Sequence, residues 1–426
     1  MAVKRFMMDD AEKYLIHGKF SPKMLADELI EENKFVYAGE LLHTYRNGVY
    51  VPEGEIFAKK RCREKLGNKA NIRFVREVIS HICDTTFTET DRLNTFKNFI
   101  NLENGMYDWR LGKLLAHSPH YLSTLRIPIT YDPQVRCPEI DKFFETTLPA
   151  DCTDLIEEWF GYVLIPDTSF QKALVLTGSG GNGKSVCLRL IEEMVGSANI
   201  SVVPLQELEG HRFKRAELFG KLVNIFADLN AIDLKKSSHF KAVVVGDPID
   251  AERKFKNPFF FTPFARLIYS ANSIPRSTDT SIGFYRRLTI VEFPNQFLNP
   301  DRHLIDKLTT PEELSGLLNR ALAGLVRLHT RNDFSEIETT EKRLAGYKRY
   351  NDPITAFLQD KCDLSNIKGR IGRGQLYYEY LKYCQTEGFK TESKFTFYKK
   401  VRSTPGIGEV EGDAGQCFFI GINVNE

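Results

Sequence analysis

The spacing of apolar residues divides the chain into three stretches of different character. From residue 11 to 32 the apolar positions follow a helical period, whereas residues 41–50 alternate apolar and polar, the period of a strand with one wet face. A second helix is predicted over 71–83. The run Phe99-Ile100-Asn101-Leu102, followed by Asn104-Gly105 and Met106-Tyr107, reads as a hairpin, because Asn-Gly accepts the positive backbone angles of a tight turn. Residues 1–136 are therefore expected to form an α+β accessory module, and no catalytic constellation stands out within it. Pro128, Pro133 and Pro138 mark a linker ahead of two further helices, 139–147 and 153–164.

Between 138 and 330 short apolar runs alternate with helical or loop segments, the pattern of a parallel α/β sheet covered on both faces. The predicted strands are 173–177, 200–203, 222–227, 264–271 and 288–293. Beyond 350 the pattern changes again. A helix starts at Asp352-Pro353, others are predicted over 375–385 and 395–402, and residues 409–411 and 416–422 flank Gly412-Asp413-Ala414-Gly415 as a second hairpin. Three helices followed by a hairpin describe a winged helix over 350–426.

Composition narrows the class. A chain of 426 residues is too long for one core, so two or three domains are expected. With 58 Lys and Arg against 56 Asp and Glu the net charge is +2, and any nucleic-acid binding must come from local basic clusters. The eight cysteines stand singly, with no C-x-x-C pair, which points to reduced, buried thiols and away from a zinc site or a disulfide framework. No apolar stretch approaches membrane length, and Met1 to Phe6 lead into charged residues without a secretory signal. A cytoplasmic location is expected.

The chemistry is concentrated in the middle stretch. The strand 173–177 runs into Gly178-Ser179-Gly180-Gly181-Asn182-Gly183-Lys184-Ser185 and then into a helical segment, 186–194. This is the P-loop pattern: glycines let backbone N–H groups close on phosphate oxygens, Lys184 reaches the outer phosphates, and Ser185 offers a hydroxyl to magnesium. ATP and Mg2+ are the expected cofactors. Asp228 follows the strand 222–227, placed to hold hydrated magnesium or to orient water. Asn272 follows the strand 264–271, where its amide could bond the γ-phosphate or the attacking water. Arg286 and Arg287 precede the last strand, and either suits an arginine finger supplied by a neighbouring subunit.

These motifs together resemble superfamily 3 helicases, nearest to the phage, plasmid and poxvirus primase-helicase group. The resemblance is carried by residues 178–185, by Gly246-Asp247-Pro248-Ile249-Asp250-Ala251-Glu252-Arg253-Lys254-Phe255-Lys256, by Ser270-Ala271-Asn272 and by Phe284-Tyr285-Arg286-Arg287-Leu288; residues 311–325 also look like the helix after that group's ATPase core. It implies an AAA+-type P-loop core over 138–330 that assembles into a ring, usually a hexamer, with single-stranded DNA in the central channel. By the same resemblance Asp228 becomes the Walker B acid and Asn272 the sensor, and the segment 246–256 becomes a hairpin projecting into the channel. Arg253, Lys254 and Lys256 are then candidate DNA contacts. One departure concerns Asp228-Leu229-Asn230, which lacks a second acid, so either Asp228 or Asp233 is available to activate water.

The N-terminal module resembles the accessory domain that precedes this core, most visibly at residues 102–108, and nothing in it looks like a primase centre, so primase activity is not expected of this chain and a separate primase is a candidate partner. The winged helix matches the group's C-terminal domain, and Lys394, Lys399, Lys400 and Arg402 on its third helix are candidate contacts to duplex or origin DNA. The function expected is an ATP-driven, ring-forming DNA helicase for replication of a phage, plasmid or mobile element. Two alternatives use much of the same sequence. One is an ATPase switch that binds and melts an origin without translocating, and the other is a P-loop kinase acting on a small molecule.

Overall fold

The structure is a computed structural model that describes residues 10–230, 232–299, 301–365, 368–412 and 415–425. Helices α1 (Pro22–Glu32), α2 (Gly54–Leu66) and α3 (Ile72–Thr85) pack around Leu25, Leu29, Cys62, Val78 and Ile82, beside an antiparallel sheet of β1 (Phe35–Ala38), β2 (Leu41–Arg46) and β3 (Val49–Val51). The helix expected from residue 11 starts only at Pro22. His17 and Gly18 adopt φ of 48° and 76° and turn the chain into a tiny hairpin, and Pro22 then takes the first helical turn, where its missing N–H costs nothing. Helix α2 has no counterpart in the sequence reading, because Gly54, Ala58 and Cys62 supply most of its buried stripe. Residues this small bury well but give little hydrophobic periodicity.

A second antiparallel sheet comprises β4 (Phe99–Leu102), β5 (Gly105–Asp108) and β6 (Lys113–Leu115). Its turn lies one residue earlier than predicted: Leu102 pairs with Gly105, so Glu103 and Asn104 form the turn and Gly105 opens the return strand. The proline stretch expected to be a linker is not one. Leu125, Ile127 and Ile129 are buried, and the Ile127 N–H donates to the Asn101 carbonyl at 2.8 Å. Residues 100–129 share one core with the central sheet, so a boundary at 136 falls inside a packed unit. The prolines here set extended backbone, which is as useful inside a core as in a tether.

Helices α4 (Pro138–Thr147) and α5 (Thr153–Tyr162) lead into β7 (Ala173–Thr177), α6 (Lys184–Val195), β8 (Ile200–Ser201) and β9 (Val223–Phe226). After α7 (Ser238–Val245) an antiparallel hairpin, β10 (Ile249–Ala251) and β11 (Phe259–Phe261), precedes β12 (Arg266–Ala271), α8 (Ile282–Tyr285) and β13 (Leu288–Glu292). The central sheet has the order β8-β9-β12-β7-β13 and is parallel throughout. All five predicted strands are present, the one over 173–177 with the bounds expected and the other four shorter at their ends. Chain order is broken on both sides of β7, and this opens the crevice at the carboxyl ends where ligands of such sheets bind.

Arg266 in β12 is almost wholly buried, donates to the carbonyls of Asp167 and Ile165, and sits 4.8 Å over the Tyr162 ring. Burial pushes its pKa down to about 10. The guanidinium thus ties the loop after α5 to the middle of the sheet. After α9 (Leu304–Leu308), the long α10 (Pro311–Arg331) packs on α5, and Gly161 and Gly324 allow the approach, since a Cβ at either would overlap backbone of the facing helix.

Helix α11 (Glu338–Asn351), unmarked in the sequence reading, packs against β13, and the Tyr347 hydroxyl donates to the Pro275 carbonyl at 2.8 Å. The C-terminal unit comprises α12 (Pro353–Lys361), β14 (Arg370–Gly372), α13 (Arg373–Glu387), α14 (Lys394–Arg402), β15 (Gly408–Glu411) and β16 (Cys417–Ile420). Its sheet runs β14-β16-β15, antiparallel, with β14 an addition to the predicted hairpin. Of the expected turn, Asp413 and Ala414 lie outside the described residues.

Candidate nucleotide site and nucleic-acid surfaces

The loop between β7 and α6 turns on glycines with φ of 100° at Gly180 and 94° at Gly183, conformations that L side chains rarely adopt. Gly183 also has no room: a Cβ there would lie 2.9 Å from Thr147 Cγ2 of α4. It occupies the N-cap of α6 without a side-chain cap, and no acid stands in the first turn. The first N–H groups of α6 are thus turned toward the cleft with the positive end of the helix dipole, a ready anion site.

Lys184 is only 6% exposed, yet its ammonium is surrounded by oxygen: the Gly178 carbonyl at 2.7 Å, Asn182 Oδ1 at 2.9 Å and Asn272 Oδ1 at 3.4 Å. Asn182 is itself fixed, donating from Nδ2 to the Phe293 carbonyl at 3.0 Å. Burial lowers the Lys184 pKa, and the charge of Asp228 acts against that shift. Three neutral acceptors hold the cation in place at the mouth of the loop. Anionic oxygens would bind it more strongly than any of them.

Ser185, Asp228 and Asn272 converge with Lys184 on one cleft of about 740 Å³ at the carboxyl ends of β7, β9 and β12. Asp233 is not among its lining residues and pairs instead with Lys390, at 3.6 Å. Of the two acids the sequence left open, Asp228 is the one at the cleft. Ser179 is exposed on the loop beside it.

Arg286 and Arg287 lie at the other end of the sheet. The Ala173 N–H, at the start of β7, donates to the Arg287 carbonyl at 2.7 Å, so both arginines stand beside the strand's amino end, away from its P-loop. Arg287 is half-buried, donates to the Gly283 carbonyl, and has its pKa lowered by burial and then by Arg286. Arg286 is exposed and makes a 3.3 Å bond to Gln171 Oε1.

Strands β10 and β11 form the expected hairpin, but its three cations differ. Arg253 donates to the Gly39 carbonyl at 3.1 Å and lies 5.2 and 5.0 Å over the rings of Phe219 and Phe259, and burial lowers its pKa. These contacts tie Arg253 to the N-terminal module, so it is less free than its two lysine neighbours. Lys254 and Lys256 are exposed, with Glu40 3.9 Å from Lys256. Between them Phe255 is fully exposed, with φ of 63°. The sequence reading passed over it, although one aromatic between two lysines was the available signal.

The basic helix α14 shows the same division. Lys400 pairs with Asp352 at 2.8 Å and Arg402 with Glu409, so these two cations are engaged internally. Lys399 is exposed, and Lys394 lies 5.7 Å from the Tyr377 ring centre with exposed Phe395 beside it. Among the described residues no helix is long and apolar enough to cross a membrane.

This arrangement is a mixed α/β fold with a glycine-rich loop at the switch point of a parallel sheet, and known proteins resemble it in sequence and in shape. Residues 11–149 match the family described as D5 N terminal like, and residues 176–287 match a family of unknown function, DUF5906. The chain is 24% identical over 284 residues to "Putative helicase L207/L206" of Acanthamoeba polyphaga mimivirus, covering 61% of this chain and 30% of that protein. It is 24% identical over 247 residues to "Putative helicase 184R" of Invertebrate iridescent virus 6, covering 52% and 24%. The aligned stretch is thus less than a third of the length of either relative.

An apo structure of the NrS-1 C-terminal region superposes with a TM-score of 0.56 at 14% identity, covering 94% of this chain and 99% of that one. A second, A-form apo structure of the same region gives 0.52 at 12% identity, with the same coverage. At such identities the likeness establishes the fold, and it extends over the whole order of modules. Together the sequence and structure matches support the resemblance to the phage and viral primase-helicase group.

Proposed function

We propose that the chain is an ATP-driven DNA helicase motor of the superfamily 3, AAA+ type, which assembles into a ring, usually a hexamer, for replication of a phage, plasmid or mobile element. The observation that carries this reading is the convergence of Lys184, Ser185, Asp228 and Asn272 on one cleft, with Arg286 at the opposite end of the sheet. In this reading the α6 N–H groups and Lys184 bind the phosphates. Asn272 orients water, and Arg286 of one subunit neutralises charge at the site of the next.

Ser185 and Asp228 would hold Mg2+, and the fit is sound: one hydroxyl and one carboxylate, with other positions left to phosphate and water, is how magnesium is commonly held. The ion supplies neutralisation of phosphate charge. Lys254 and Lys256 would follow the DNA backbone in the ring channel while Phe255 stacks on a base. The C-terminal unit is read as a winged helix whose α14 presents Lys394 and Lys399 to duplex or origin DNA.

Strand displacement tests the reading. The wild-type chain should unwind a tailed duplex only with ATP, and Lys184→Ala should do neither that nor hydrolysis. ATP turnover stimulated by DNA without displacement would favour an origin-melting switch, and turnover indifferent to DNA would favour a kinase.

A further inference from the structure

The cleft extends beyond its phosphate end, and the additional wall comes from two segments outside the sheet. The chain leaving β13 folds back along the P-loop: the Phe293 N–H donates to the Thr177 carbonyl at 2.8 Å and the Phe297 N–H to the Gly181 carbonyl at 2.9 Å. The same segment is tied to α4 by Asn295, whose Nδ2 donates to the Thr146 carbonyl at 2.7 Å. Phe297, Leu304, Phe143 and Thr147 therefore line the cleft next to residues 180–186. Phe297 keeps 38% of its surface exposed although its backbone is bonded to the P-loop itself. Lys307 and Asp301, paired at 2.7 Å, stand among the same lining residues.

We propose that this end is the nucleobase seat, with the Phe297 ring stacked on a purine and Phe143 and Thr147 of α4 closing the wall. The inference rests on the P-loop reading of the same cleft. Phosphates held at the start of α6 leave a planar, largely apolar group to be accommodated, and an aromatic ring of fixed position is the surface that such a group recognises through its face. The seat is then built partly from residues that precede the core. A nucleotide would join α4 to the segment after β13 as well as to the P-loop.

The test compares ATP with ribose 5-triphosphate, which lacks the base, by titration calorimetry with magnesium on the full chain. Wild type should bind ATP the more tightly. Phe297→Ala should weaken ATP by about tenfold or more while changing ribose 5-triphosphate by less than about twofold, in line with the loss of one base–aromatic stack. Phe297→Trp should retain ATP affinity. Equal losses for both ligands would show that Phe297 only supports the P-loop, and no loss for ATP would place the base elsewhere; either overturns the seat. If wild type binds neither ligand, the P-loop reading itself fails, and the seat falls with it.

Discussion

The position of Arg286 gives a quantitative test of subunit sharing. It precedes a five-residue strand, β13, that runs parallel to β7. At roughly 3.3 Å per residue the strand separates the arginine from the carboxyl-end cleft by about 16 Å, farther than one side chain reaches. Arg286 therefore cannot serve the Lys184 of its own chain. In a ring each site pairs the P-loop of one subunit with the arginine of the next, a head-to-tail contact. Lys184→Ala chains carry only intact arginines, and Arg286→Ala chains carry only intact P-loops.

Each variant alone should be inactive. When equal amounts assemble at random, the pairing of an intact P-loop with an intact neighbour arises at about one interface in four, so turnover should return to roughly a quarter of wild type if sites act independently. A phosphate-release assay across mixing ratios, with assembly followed by light scattering, should peak at the equal mixture and rise with total protein. An Arg286→Ala chain with full activity would refute the reasoning. So would mixed rings, verified as assembled, that remain inactive.

Three further outcomes are expected. Asp228→Asn should retain ATP binding and lose hydrolysis by about a hundredfold or more, whereas Asp233→Asn, remote from the cleft, should stay near wild type; steady-state turnover would expose a reversed assignment. Arg266→Ala leaves the carbonyls of Ile165 and Asp167 without their charged donor and opens a cavity, so thermal unfolding should show a loss of roughly 3 to 5 kcal/mol, and an unchanged melting temperature would contradict its clamping role. Phe255→Ala should weaken single-stranded DNA binding by about 1 to 3 kcal/mol at constant salt and leave the salt slope unchanged, while Lys254→Ala should flatten that slope, as read by fluorescence anisotropy.

The conformation of the glycine-rich loop could be read from sequence because it is set locally. Glycines at fixed spacing after an apolar strand determine the backbone, and the five core strands followed from short apolar runs. Partnership was less legible. Arg253, Lys400 and Arg402 stood out as DNA contacts because sequence reports a charge without its partner, and the Gly39 carbonyl, Asp352 and Glu409 lie 214, 48 and 7 residues away along the chain. Helices α2 and α11 escaped notice for a different reason. The first buries mainly small residues and the second only Tyr347 and Asn351, so packing rather than hydrophobicity defines them. The proline stretch misled in the opposite sense, since buried Ile127 and Ile129 outweigh the punctuation of Pro128.

The packing of α11 on β13 also governs how this chain can be divided. Among the described residues β13 is the last strand of the sheet, with β7 on one side and no further strand on the other. Arg343 pairs with Glu292 of that strand, Tyr347 holds Pro275, and the Asn351 side chain accepts from the Ser277 N–H at 3.1 Å. A cut near residue 345, inside α11, would remove Tyr347 and Asn351 and partly uncover the strand's unpaired margin. Exposed margins of this kind template pairing between chains, so such a fragment should precipitate or form β-rich aggregates. A fragment that ends after Asn351 keeps its protective helix and should remain dispersed.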